Sequence, residues 1–93
     1  MKIKAVIVDD EQVARDVLEN YLSKYCPVVE LVGKAQHIKE AVPMIQELQP
    51  QLVFLDVEMP GEPGFTLLDQ IPFSPKVILT TSKADYAYNA FEY

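Results

Sequence analysis

Three short apolar runs in this 93-residue chain end directly in groups suited to phosphate or metal chemistry. Val6-Ile7-Val8 runs into Asp9-Asp10-Glu11, Leu52-Val53-Phe54-Leu55 into Asp56-Val57-Glu58, and Val77-Ile78-Leu79 into Thr80-Thr81-Ser82. If the first and second of these runs are neighbouring strands, Asp9, Asp10 and Asp56 converge at one end of a sheet. Carboxylates so placed repel one another unless they are protonated, strongly solvated or neutralised by a cation. Magnesium is the economical partner: it takes oxygen ligands, keeps several waters, and uses one or two carboxylates together with phosphate oxygens. A hydroxyl from Thr81 can then hydrogen-bond a phosphoryl oxygen. The chemistry implied is phosphoryl transfer to a carboxylate, with Asp56 as nucleophile and the metal offsetting charge.

Each residue has a plainer reading. Asp9 or Asp10 could cap the helix that follows, Asp56 could be a turn residue ahead of Pro60-Gly61, and Thr80 and Thr81 could be ordinary strand residues. The joint pattern, three strand ends carrying the required groups, favours a site over three unrelated coincidences.

The elements that must position these groups follow from periodicity. Ile3 to Val8 is a β-branched run suited to a buried strand. Val13, Ala14, Val17, Leu18, Tyr21 and Leu22 fall at helical spacing and predict an amphipathic helix from about Gln12 to Tyr25, stopped by Pro27. Val28 to Val32 predicts a second strand with Gly33 as its exit. Ile38, Ala41, Val42, Ile45 and Leu48 mark a second helix closed by Pro50, and Pro43 within it predicts a late start or a kink. Leu52 to Leu55 is continuously apolar, as in a strand covered on both faces. Phe65, Leu67, Leu68 and Ile71 suggest a short third helix, Val77 to Leu79 a fourth strand, and Tyr86, Ala87, Ala90 and Phe91 a fourth helix. Strands alternating with helices through short loops predict a doubly wound α/β fold with a parallel sheet. Ligands of such sheets bind beyond the carboxyl ends of the strands, where the strand order reverses. The acidic and hydroxyl groups are at those ends.

Composition narrows the class. About half of the residues are apolar, enough for one core, and the length fits a single domain. The formal charge of −6 disfavours direct contact with phosphate backbones, so nucleic-acid binding by this domain is not expected. Cys26 is alone, which excludes an internal disulfide and fits a reduced cytoplasmic setting; its ordinary role is a small apolar residue near a helix end. The apolar run after Met1-Lys2-Ile3-Lys4 is too short for a signal peptide or a membrane span.

The residues Val6-Ile7-Val8-Asp9-Asp10-Glu11, and Leu52 through Gly61 followed by Gly64, resemble the receivers of bacterial two-component response regulators, which are flavodoxin-like domains. The stretch Asp85-Tyr86-Ala87 to Ala90-Phe91-Glu92 resembles, more narrowly, receivers attached to LytTR-type DNA-binding domains. The resemblance spans essentially the whole chain and implies a sheet order of 2-1-3-4. It implies Asp56 as the phosphoacceptor, fed by a phosphohistidine on a sensor histidine kinase. It implies Mg²⁺ held by Asp10 with Asp9 beside it, by Asp56, and by the backbone carbonyl of Glu58. Thr81 is then the switch hydroxyl that moves toward the phosphoryl group, and Ser82 the small residue that admits the phosphodonor. The partners implied are the sensor kinase and a C-terminal LytTR-type domain.

Two departures accompany the resemblance. The loop after Asp56 carries Glu62-Pro63 before Gly64. The family also has a fifth strand ending in a Lys-Pro pair and then a fifth helix, whereas this sequence ends at Tyr93 within the expected fourth helix. The expectation is therefore a C-terminally truncated receiver over residues 1–93, able to self-associate or exchange segments through strand four and the fourth helix. Lys83 follows the site in sequence, and its plain reading is a solvated lysine. Two alternatives stand beside the phosphoacceptor reading. One is an interaction-only receiver that is not phosphorylated. The other is an aspartate-nucleophile phosphatase, which wants a second aspartate where this chain has Glu58.

Overall fold

The computed structural model describes residues 2–57, 67, 69–71 and 75–80. The elements run β1 (Ile3–Val8), α1 (Gln12–Tyr25), β2 (Val29–Ala35), α2 (Ile38–Leu48), β3 (Leu52–Asp56) and β4 (Lys76–Thr80). The four strands form one parallel sheet in the order β2-β1-β3-β4, as the family resemblance implies, with the order reversing between β1 and β3. The fold is flavodoxin-like. Among the described strands β4 is an edge, while the expected fourth helix lies outside the described residues.

The inner strands β1 and β3 are packed on both faces, which is why they are continuously apolar. Val6 and Val8 of β1 and Val53 and Leu55 of β3 point to the α2 side, where they pack with Ala35, Ile38, Ala41, Ile45, Leu67 and Ile71. Ala5, Ile7 and Phe54 point to the opposite side and meet Leu22, Leu18 and Cys26 of the α1 segment. Leu67 and Ile71, from the predicted third helix, are buried. Its other apolar positions, Phe65 and Leu68, lie outside the described residues.

The second strand differs from the expectation of Val28 to Val32 with an exit at Gly33. It runs through Gly33 to Ala35. The register along β1 jumps from Ala5↔Leu31 to Val6↔Gly33, so Val32 is an extra residue in the pairing. An inserted residue reverses which face the following side chains occupy. Val29 and Leu31 therefore pack on the α1 side, but Val32 and Ala35 on the α2 side. Gly33 lies where α2 comes closest: a Cβ there would be 2.8 Å from the Met44 sulfur and 3.1 Å from Leu48 Cδ1. The glycine marks helix–strand contact within the strand, not the end of the strand.

Of the late start or kink expected for the second helix, the late start is not observed. The helix starts at Ile38 and continues through Pro43. Pro43 is exposed, and as the sixth residue of the helix it has a full turn ahead of it. The helix ends as Gln49 takes a left-handed conformation, φ 47°, and its N–H donates to the Ile45 carbonyl. Among the described residues no helix is long and apolar enough to cross a membrane.

Candidate functional site

The site lies at the carboxyl ends of β1, β3 and β4. β3 pairs with β1 from Leu52 to Leu55 and with β4 from Leu52 to Asp56, so Asp56 ends a strand flanked on both sides. The pairing extends one residue further, because Val57 N–H donates to the Thr80 carbonyl at 3.2 Å. Asp56 is consequently buried, at 8% exposure. Among buried side chains of the described residues it alone is charged.

Asp9, Asp10 and Asp56 come together as the sequence predicts: one carboxylate oxygen from each lies within 4.8 Å of the other two. Asp9 and Asp10 are half-buried. The capping alternative for them does not hold. The N-cap of α1 is Glu11, and no side chain caps that helix end. Asp9 instead folds back locally, its Oδ1 accepting the Glu11 N–H at 3.0 Å.

Thr80 is the register partner of Asp56 and lines the same groove, so a β4 hydroxyl residue stands next to the buried carboxylate. The sequence reading placed its hydroxyl at Thr81, which with Glu58, Ser82 and Lys83 lies outside the described residues. One residue escaped the sequence reading altogether. Arg15 donates from Nη1 to the Asp9 carbonyl at 2.7 Å. No local pattern marked it, since Arg15 lies beyond helical i,i+4 spacing from Asp9 and the turn at Asp9 decides the contact.

From the carboxylates an open groove of about 430 Å³ runs along α1. Asp9, Glu11, Asp56 and Thr80 form its polar end, and Ala14, Val17, Leu18 and Tyr21 its apolar wall. The donors at the polar end are all oxygens in a cluster of mixed burial, which fits a hard divalent cation such as Mg²⁺ and not a soft metal.

Residues 5–93 match the response regulator receiver domain family. This chain belongs to that family. It is 40% identical over 92 residues to an uncharacterized response regulatory protein of Yersinia pestis, covering 97% of this chain and 38% of that protein. It is 33% identical over 93 residues to the sensory transduction protein LytT of Bacillus cereus, covering 97% of this chain and 37% of LytT. Among solved structures, the response regulator domain of Thermotoga maritima CheB superposes with a TM-score of 0.76 at 28% identity, covering 99% of this chain and 72% of that one. The chain spans less than two-fifths of the length of these curated relatives. As a receiver it is a module of signal transduction.

Proposed function

We propose that Asp56 accepts a phosphoryl group from a phosphohistidine on a sensor histidine kinase, and that Asp9, Asp10 and Asp56 hold Mg²⁺ together with the backbone carbonyl of Glu58. The observation that carries this reading is the convergence of three carboxylates within 4.8 Å at the carboxyl end of a parallel sheet. In the transfer, a carboxylate oxygen of Asp56 forms a bond to phosphorus as the bond from phosphorus to the histidine nitrogen breaks, leaving an acyl phosphate. The bound metal would supply charge neutralisation for the incoming phosphoryl oxygens. Asp56 is buried, which restricts the water that would hydrolyse the product. The Thr81 hydroxyl hydrogen-bonds a phosphoryl oxygen, and Ser82 leaves space for the donor.

The resulting change of surface passes to an output domain. The likeness to LytT supports a LytTR-type DNA-binding domain in the intact protein, and hence a cytoplasmic regulator of transcription. The domain itself then acts as phosphoacceptor and not as an enzyme turning over a separate substrate.

Incubation with acetyl phosphate and Mg²⁺, followed by peptide mapping, tests the assignment. Label on Asp56, absent from Asp56→Asn and absent with chelator, is the expected result. Label at another carboxylate, or none on the wild type, overturns it. Asp10→Ala should weaken Mg²⁺ binding much more than Glu11→Ala, because Glu11 is exposed and lies outside the carboxylate triad.

A further inference from the structure

Asp9 and Asp10 leave β1 through three successive peptide groups, each tied by one hydrogen bond. The Asp9 N–H donates to the Ala35 carbonyl of β2 at 3.0 Å. The Asp9 carbonyl, which shares a rigid plane with the Asp10 N–H, accepts from Arg15 Nη1 at 2.7 Å. The next peptide is tied too, through Glu11 N–H and Asp9 Oδ1. With these groups fixed, the direction in which the Asp10 Cα–Cβ bond leaves the chain is fixed as well.

The choice of partner is informative. Arg15 shares a polar groove with Asp16 and Glu40, yet among the described residues it makes no salt bridge. Its guanidinium instead meets a main-chain oxygen at part-buried depth. We propose that Arg15 is a positioning residue for the metal ligands: it holds the Asp9–Asp10 peptide in the orientation that presents both carboxylates toward Asp56. The inference rests on the reading of those carboxylates as the Mg²⁺ site.

A comparable clamp exists one crossover later. The exit of β2 is held by a side chain of its following helix in the same manner, with Gln36 N–H donating to Glu40 Oε1 at 3.0 Å. No member of the carboxylate cluster lies in that turn. That clamp holds the Ala35–Gln36 peptide, whose carbonyl accepts the Asp9 N–H, so it bears on the metal ligands one hydrogen bond further away than Arg15 does.

The sign of the effect separates positioning from simple charge. Removing a cation near three carboxylates would by Coulomb attraction alone strengthen Mg²⁺ binding. Positioning requires the reverse. Groups that orient metal ligands typically change affinity by about 10–100-fold when removed. Mg²⁺ titration of the full chain, followed by calorimetry and by backbone amide shifts, should show Arg15→Met weakened about tenfold. Arg15→Lys, which keeps a donor, should recover part of that loss. Glu40→Ala, whose clamp is one hydrogen bond further from the cluster, should lose less affinity than Arg15→Met. Equal or tighter binding by Arg15→Met overturns the proposal, as does a Glu40→Ala loss as large. If Arg15→Met does not fold, Arg15→Lys decides: affinity unchanged from wild type overturns the proposal, and a partial loss supports it. A wild-type chain that binds no Mg²⁺ would overturn the metal reading itself, whereas wild-type binding unaffected by Arg15 would overturn only this inference.

Discussion

The two faces of the sheet are built differently. On the α2 side, Val6, Val8, Val53, Leu55, Ala41, Ile45 and Leu67 are wholly buried and interlock in one cluster. On the α1 side the buried set among the described residues is Ala5, Ile7, Leu22 and Phe54, ringed by half-buried residues. The outward apolar residues of α1 stay open, Val17 at 63% and Tyr21 at 56% exposure, and Ile78 of β4, the register partner of Phe54, is 46% exposed. The closed face supplies most of the packing that fixes the strands. The open face carries the groove that leads to Asp56. Stability and access are thus divided between two sides of the same strands, and a side chain's face predicts which of the two its loss will affect.

The largest test of this division is truncation on the closed face. Leu55→Ala removes a fully buried side chain where its neighbours have little room to collapse, and should cost about 3–5 kcal/mol in urea unfolding. Leu18→Ala, on the half-buried α1 side, should cost about 1–2 kcal/mol, in proportion to the smaller area it buries. Equal losses would break the comparison.

Gly33 sharpens it from the opposite direction, by overfilling. Gly33→Ala places a methyl against the Met44 sulfur and should destabilise by about 1–3 kcal/mol. A double-mutant cycle with Met44→Ala should return part of that cost, since the obstruction is the end of a flexible side chain. Strict additivity would show that the close approach of α2 is not what demands glycine.

At the site, the expected effect is smaller and has the opposite sign. Without divalent cations, Asp56→Asn removes one of three mutually repelling carboxylates and should raise stability by about 1 kcal/mol. Saturating Mg²⁺ should stabilise the wild type but not that variant, because only a folded site with its charge intact binds the ion. Thermal unfolding with and without Mg²⁺ distinguishes these cases. The smallest effect belongs to the groove wall: Val17→Ser should change stability by less than about 0.5 kcal/mol despite replacing an apolar residue. A loss beyond about 1 kcal/mol would mean that this wall is packed in solution, and the open side would need redrawing.

Much of this was legible in the chain before any coordinates. A continuous β-branched run and a period-3.6 pattern located β1 and α1 at the bounds observed, because an inner strand is buried on both faces and a helix on one stripe. The convergence of Asp9, Asp10 and Asp56 was legible for a related reason. In a parallel sheet the carboxyl ends of all strands lie at one edge, so strand order alone brings their terminal residues together. The strand order itself came from the family resemblance, not from periodicity.

Tertiary structure decided what no local pattern encodes. Gly33 looks like a strand terminator in sequence, and only the bulge at Val32 turns it beneath Met44 and Leu48, where a side chain has no space. Pro43 looks like a break, yet packing of Ile38, Ala41 and Ile45 on the sheet carries α2 through it. Thr80 reads as one strand residue among others until its register sets it beside Asp56. Arg15 reads as a solvated helix residue until the turn at Asp9 brings a carbonyl within its reach. In each case the deciding partner is distant in sequence or depends on how a turn folds. Periodicity reports which face a residue occupies, whereas register, bulges and turns determine what it meets there.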